Sequence, residues 1–234
     1  MKHLGKVALL VAAVGVGATI LMVFGARLGL WEPITGLRLY RSLFNPLAMI
    51  VAAVGIVALV IHLRRKDRGQ AILSGIAALI GVAMLVPFIS STINPPVRAA
   101  PINDITTDTA NPPAFLASDN PRPYAGAEVA GIQAGAYPDI SPLLTDLDTD
   151  AAYARALDIA NDMGWEPVAA DAENNRFEAV ARTSVFYFAD DVVVVVTPQD
   201  EGSRVDMRSA SRVGRSDQGV NAARIRDFQE RFQN

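Results

Sequence analysis

The chain has 234 residues, 51% of them hydrophobic but only 7% aromatic. Its net charge of −3 divides into +7 over residues 1–95 (nine Lys and Arg, two acids) and −10 over residues 96–234 (twelve Arg, twenty-two acids). The acidic half excludes a nucleic-acid footprint, which needs clustered cations to displace counterions, and it argues against broad adhesion to anionic lipid. No Cys occurs anywhere and no His or Lys occurs after residue 95, which excludes disulfides, a Ser-His-Asp triad, a Cys-His pair, a lysine Schiff base and a His-ligated metal from that half.

Three apolar segments come first. Leu4 to Phe24 is almost wholly Val, Leu, Ala and Gly, long enough to cross a ~30 Å hydrocarbon core. It exceeds a signal-peptide core and lacks a small-x-small cleavage site before a polar start, so it reads as a retained helix. The second span runs from Phe44 to Leu63 and the third from Ala71 to Ser91, with Pro87 near its exit, where a lost backbone bond is tolerated. The connecting Arg64-Arg65-Lys66-Asp67-Arg68-Gly69 is short and basic, so the positive-inside rule places it in the cytoplasm. With Lys2 and Lys6 that side holds six basic residues, against Arg27, Arg38, Arg41 and Arg98 on the other. The expectation is a multi-pass cell (inner) membrane protein with a cytoplasmic N-terminus and a periplasmic or otherwise extracytoplasmic C-terminal domain.

Trp31 and Tyr40 fall in the first external loop, where aromatic rings favour the interface. Ala13-x-x-x-Gly17 and Ala77-x-x-x-Gly81 permit close helix approach, and packing within a three-helix bundle is expected of both. No span carries an acid or a charged pair at mid-depth, which argues against an ion channel or proton path. His62, near the cytoplasmic end, reads as an interfacial residue.

Residues 94–144 form a proline-rich segment. Pro95-Pro96, Pro101, Pro112-Pro113, Pro121, Pro123, Pro138 and Pro142 break any helix. Asn103-Asp104, Asn111-Pro112 and Asp119-Asn120 look like turns. The segment is either a flexible tether or a strap laid over the domain; scattered Ile102, Ile105, Phe115, Leu116 and Tyr137 favour docking.

Residues 145–234 read as an α+β domain. Acids Asp148 and Asp150 open a helix to Met163, ended by Gly164, with Tyr153, Ala156, Leu157, Ala160 and Met163 on one face. Strands follow over Trp165–Ala170, Arg176–Ser184, Asp191–Thr197 and Arg204–Val213. Val192 to Val196 is an unbroken valine run, which signals burial on both faces and a central position. Pro198–Ser203 is a turn. A last helix runs to Phe232, with Ile225, Phe228 and Phe232 inward. The order α-β-β-β-β-α predicts an antiparallel four-stranded sheet with two helices on one face.

One segment stands out for chemistry. Over Asp206–Val213, alternation puts Arg208 and Arg212 on one side of a strand and Ser209 and Ser211 on the other. Arg215, Ser216 and Asp217 then lead into the last helix, whose free N–H groups suit a carboxylate or phosphate. Two readings are open. The segment is a small anion site, or it is held by cross-strand salt bridges to Asp190 and Asp191, with Asp217 or Ser216 as the helix cap. Asp190 and Asp191, adjacent on a strand, point to opposite faces and are poorly placed to act as a carboxylate pair. Asp146-Leu147-Asp148-Thr149-Asp150 begins like a calcium loop, but Ala151 and Leu157 stand where that loop wants Gly and Glu, so these are helix-start acids. No cofactor and no metal is expected.

Several motifs together resemble a known family. They are Pro101–Asp108, Asn111–Phe115, Tyr137-Pro138-Asp139, Trp165, Asp190-Asp191 and Arg208–Asp217, with Gly219, Asn221 and Arg224-Ile225-Arg226. They are similar to domain-of-unknown-function family 1499 over about residues 98–232. The resemblance implies that the proline-rich strap is part of the domain and that a membrane segment often precedes it; the family brings no agreed activity. The expected partners are the lipid bilayer, a membrane or envelope protein, or a small anionic ligand held by Arg208, Ser209, Ser211, Arg212, Arg215, Ser216, Asp217, Asn221, Asp190 and Asp191. The alternatives are a carboxylate-based hydrolase using Asp190 or Asp217, and an accessory subunit of a membrane complex.

Overall fold

The computed structural model describes residues 3–119 and 122–234; Lys2, Asn120 and Pro121 of the sequence reading lie outside the described residues. It contains two compact units, Met1–Val97 with Ser184–Tyr187, and Arg98–Thr183 with Phe188–Asn234.

The first unit is helical. Helices α1 (Leu4–Phe24), α2 (Pro33–Arg64) and α3 (Arg68–Ile93) are each long and apolar enough to cross a membrane. Helix α2 begins eleven residues before the expected span, with Pro33 in its first turn, where the missing N–H has no helical partner to lose. Tyr40 therefore sits on a helix rather than in a loop, stacked on Phe44 at 4.7 Å between ring centroids. Asp67 caps α3, accepting from the Gln70 amide. Glycine permits close contact where α2 and α3 meet: a Cβ at Gly55 would collide with Ala78, and one at Gly81 with Ala52. The Ala77/Gly81 pair thus packs inside the bundle as expected. The Ala13/Gly17 pair does not: both residues are exposed, and nothing lies within 4 Å of a Cβ built on Gly17. His62, near the end of α2, is buried among the helices, its Nδ1 3.9 Å from an Asp67 carboxylate oxygen.

The second unit is an antiparallel sheet of six strands, not four. The four expected strands are present as β3 (Glu166–Asp171), β4 (Arg176–Arg182), β5 (Ala189–Gln199) and β6 (Gly202–Ser211). The strap supplies two more, β1 (Asp104–Thr106) and β2 (Leu143–Thr145), and both pair with β6. Asp104 to Thr106 lie opposite Ala210 to Arg208, and Leu143 to Thr145 lie opposite Val205 to Ser203. The two therefore form one edge in two pieces. Between them the Thr107 amide donates to the Met207 carbonyl, and the Met207 amide donates to the Thr107 hydroxyl.

The strap also holds a third helix, α4 (Ala127–Ala136), in the one stretch between Pro123 and Pro138 long enough for it. Its Gln133 side chain bonds both the amide and the carbonyl of Thr106. Helices α5 (Thr149–Asp162) and α6 (Val220–Gln233) cover one sheet face. The Asp148 side chain accepts from the Ala151 amide at the start of α5, and Trp165 stacks on Phe228 of α6.

Strand β5 lies in mid-sheet between β4 and β6, as its valine run indicates. Val192, Val194 and Val196 enter the core under the helices, while Val193 packs with Phe115 and Ala210 on the other face. Pro198 belongs to β5 rather than to a turn. Strand β4 pairs only as far as Val195, so one side of Pro198 has no strand to serve. Gly202 closes the hairpin at φ 113°, and a Cβ there would collide with the Thr145 carbonyl.

Candidate functional site

Strand β6 carries chemistry on both faces. On the helix face, Ser209, Ser211 and Asp190 meet Asn221 and Arg224 of α6. The Ser209 hydroxyl donates to Asn221 Oδ1 at 2.7 Å, and Asn221 Nδ2 donates to the Ser211 hydroxyl and the Asn103 carbonyl, each at 3.0 Å. Arg224 donates to Ser209, to Asn221 and, at 2.6 Å, to the buried Asp190 carboxylate. Asp217 accepts from the amides of Gly219 and Asn221, so it caps α6. Burial pushes its carboxyl above the ordinary value; those two amides oppose this, and the Asp190 charge adds to it. This cluster knits β6, α6 and the strap together with its polar groups satisfied.

On the opposite face stand Arg208, Arg212 and Asp191. Arg212 grips Asp191 with Nε and Nη2, the closest approach being 2.7 Å, and that carboxylate holds the guanidinium above its ordinary value. Arg208 is 1% exposed. A buried cation must be matched by an anion and by acceptors for its remaining N–H groups. Asp104 supplies the charge through a two-point pair at 2.9 and 2.7 Å. The carbonyls of Pro113 and Arg122 take two further N–H groups at 3.2 and 3.3 Å. The rings of Phe115 and Tyr124 flank the guanidinium carbon at 4.7 and 5.5 Å, a cation–π arrangement that lowers the cost of burial.

The strap lies across this face because sheet side chains satisfy its backbone. The buried Glu178 carboxylate accepts from the amides of Leu116, Ala117 and Ser118 at 2.6 to 3.0 Å, and Arg176 donates to Glu178 and to the Ala114 carbonyl. Between strap and Arg208 lies an open cavity of about 290 Å³, lined by Pro112, Ala114, Phe115, Arg122, Pro123, Tyr124 and Arg208. Two of these lining residues carry a buried polar atom with no hydrogen-bond partner among the described residues, Arg122 Nη2 and the Tyr124 hydroxyl. Burial pushes the Tyr124 hydroxyl above its ordinary pKa; the Asp104 charge adds to this and Arg208 opposes it.

The ten residues singled out in the sequence do not converge. Arg208, Arg212 and Asp191 lie on the strap face; Ser209, Ser211, Asp190 and Asn221 lie on the helix face; Asp217 caps α6. The Ser216 hydroxyl donates to the Ala100 carbonyl, and Arg215 is exposed. Only Arg208 borders the cavity. Arg122, Tyr124 and Phe115 were missed as site residues. In the sequence Phe115 stands out as an apolar strap residue and as part of the Asn111–Phe115 family motif, while nothing marks Arg122 and Tyr124, since no periodicity distinguishes a residue inside a proline-rich run.

The family model described as "Protein of unknown function (DUF1499)" matches residues 104–232. The chain belongs to the DUF1499 family. The match takes in the whole six-stranded sheet together with α4, α5 and α6, except for the last residue of α6. A comparison with curated protein sequences returned no match.

Proposed function

We propose that this DUF1499 protein is a membrane-tethered binding module whose sheet domain takes a small anionic ligand in the cavity over Arg208. One observation carries the reading: two residues that line the cavity, Arg122 and Tyr124, each hold a buried donor (Nη2 and the hydroxyl) with no hydrogen-bond partner among the described residues. Buried donors left without acceptors cost about 1–3 kcal/mol each, and a ligand oxygen would recover that cost. Arg122 also has no acidic partner among the described residues. Three apolar helices supply the tether, and the basic Arg64–Arg68 connection orients the domain away from the cytoplasm.

A carboxylate hydrolase is disfavoured. Asp190 and Asp191 each bind their own arginine on opposite faces, and Asp217 is engaged as a cap. The test is calorimetric titration of the detergent-purified full chain with acetate, benzoate and inorganic phosphate. At least one anion should bind, and Arg122→Gln should abolish that binding. A folded protein that binds none of the three refutes the proposal.

A further inference from the structure

The geometry points to a planar monoanion as the occupant of this cavity, an aromatic carboxylate in chemical class, rather than a phosphate or a nucleotide. This rests on the anion-binding reading and narrows it through three observations.

The first is charge. Asp104 cancels Arg208 through the two-point pair, so among the described residues that line the cavity Arg122 is the one uncompensated charge. A monoanion matches it. A dianionic phosphate ester would bring a second negative charge close to the buried Asp104, where nothing offsets it.

The second is the donor count. A guanidinium has five N–H groups. Arg208 spends two on Asp104 and one each on the carbonyls of Pro113 and Arg122. One N–H remains, on Nη1. With Arg122 Nη2 and the Tyr124 hydroxyl, the residues that line the cavity hold three donors that no described protein group takes, enough for the two oxygens of a carboxylate once they turn toward it. The planar fork of Arg122 suits a planar acid group.

The third is the shape and character of the walls. Phe115, Tyr124, Pro112, Pro123 and Ala114 are rings or small apolar groups. A volume of about 290 Å³ lies at the small end of ligand cavities, roughly 300–1,000 Å³. It admits one aromatic ring with its acid group.

The experiment is titration of the detergent-purified full chain with benzoate, acetate, benzyl alcohol and phenyl phosphate. Benzoate should bind at least about tenfold more tightly than each of the other three, since each lacks one element of the match. Tyr124→Phe keeps the ring and removes the hydroxyl, and should weaken benzoate by about ten- to a hundredfold, the value of a hydrogen bond to a charged group. Circular dichroism establishes that the variant is folded. Benzyl alcohol binding as well as benzoate, or unchanged affinity in folded Tyr124→Phe, overturns the inference. Preferential binding of phenyl phosphate overturns the ligand class but leaves the anion-binding module standing. No binding of any probe ends both.

Discussion

Replacement of Arg208 by Ala tests the strap face most directly. The side chain is 2% exposed and its partner Asp104 is 9% exposed, so the substitution leaves a carboxylate buried without a counter-charge. It also strips the carbonyls of Pro113 and Arg122 of donors and empties the space between two aromatic rings. Removing one partner of a buried pair costs about 3–5 kcal/mol, a large part of the roughly 5–15 kcal/mol that holds a typical domain folded. Denaturant unfolding of the full chain in detergent, followed by the fluorescence of Trp165 and Trp31, measures the loss. Asp104→Leu combined with Arg208→Met should cost much less than the two single changes added together, because neither charge is then stranded. A folded Arg208→Ala protein that loses less than about 1 kcal/mol would show that this pair does not organise the strap face.

Other outcomes follow from the same geometry. Glu178→Gln takes the charge from the carboxylate that holds three strap amides; it should cost about 1–3 kcal/mol and speed hydrogen exchange at Leu116, Ala117 and Ser118. Because the folded-state pKa of Asp217 lies above its ordinary value, its contribution to stability is full below the unfolded pKa and fades as pH rises through the folded one. Asp217→Asn should therefore compare better with the parent at about pH 7 than at about pH 3, as read from unfolding midpoints at the two pH values. The lack of native Cys allows topology to be mapped by single substitutions. On intact cells a membrane-impermeant maleimide should label Arg215→Cys and spare Lys66→Cys, and the reverse pattern would invert the proposed orientation.

The frame of the domain was legible where local pattern and burial coincide. The run Val192–Val196 announced a strand covered on both faces, and the Gly164 stop and the Asp148 start bounded α5. Alternation along Asp206–Val213 sorted arginines from serines correctly. What covers each face was not legible, because it is set by pairings across about a hundred positions. Arg208 meets Asp104, and Asn221 meets Asn103, only once the strap has folded back. Strands of three residues such as β1 and β2 are too short to show alternation, and the Gly- and Ala-rich α4 has no apolar stripe to reveal it. Arg122 and Tyr124 come to line a cavity only once the strap has docked.

The edge beside β6, divided between β1 and β2, has an evolutionary consequence. Residues 108–142 leave the sheet and re-enter it along the same strand, in line with where they departed. They behave as a cassette spliced into one edge. Changes of length or sequence within the cassette leave the register with β6 untouched, yet among the described residues this segment supplies every cavity wall except Arg208. Any replacement must still present an apolar side chain where Phe115 meets Val193 and Ala210, and two carbonyls for Arg208. The amides that satisfy the buried Glu178 and the Gln133 side chain that pairs with Thr106 are fixed in the same way, so the lining of the cavity can change only between these anchor points.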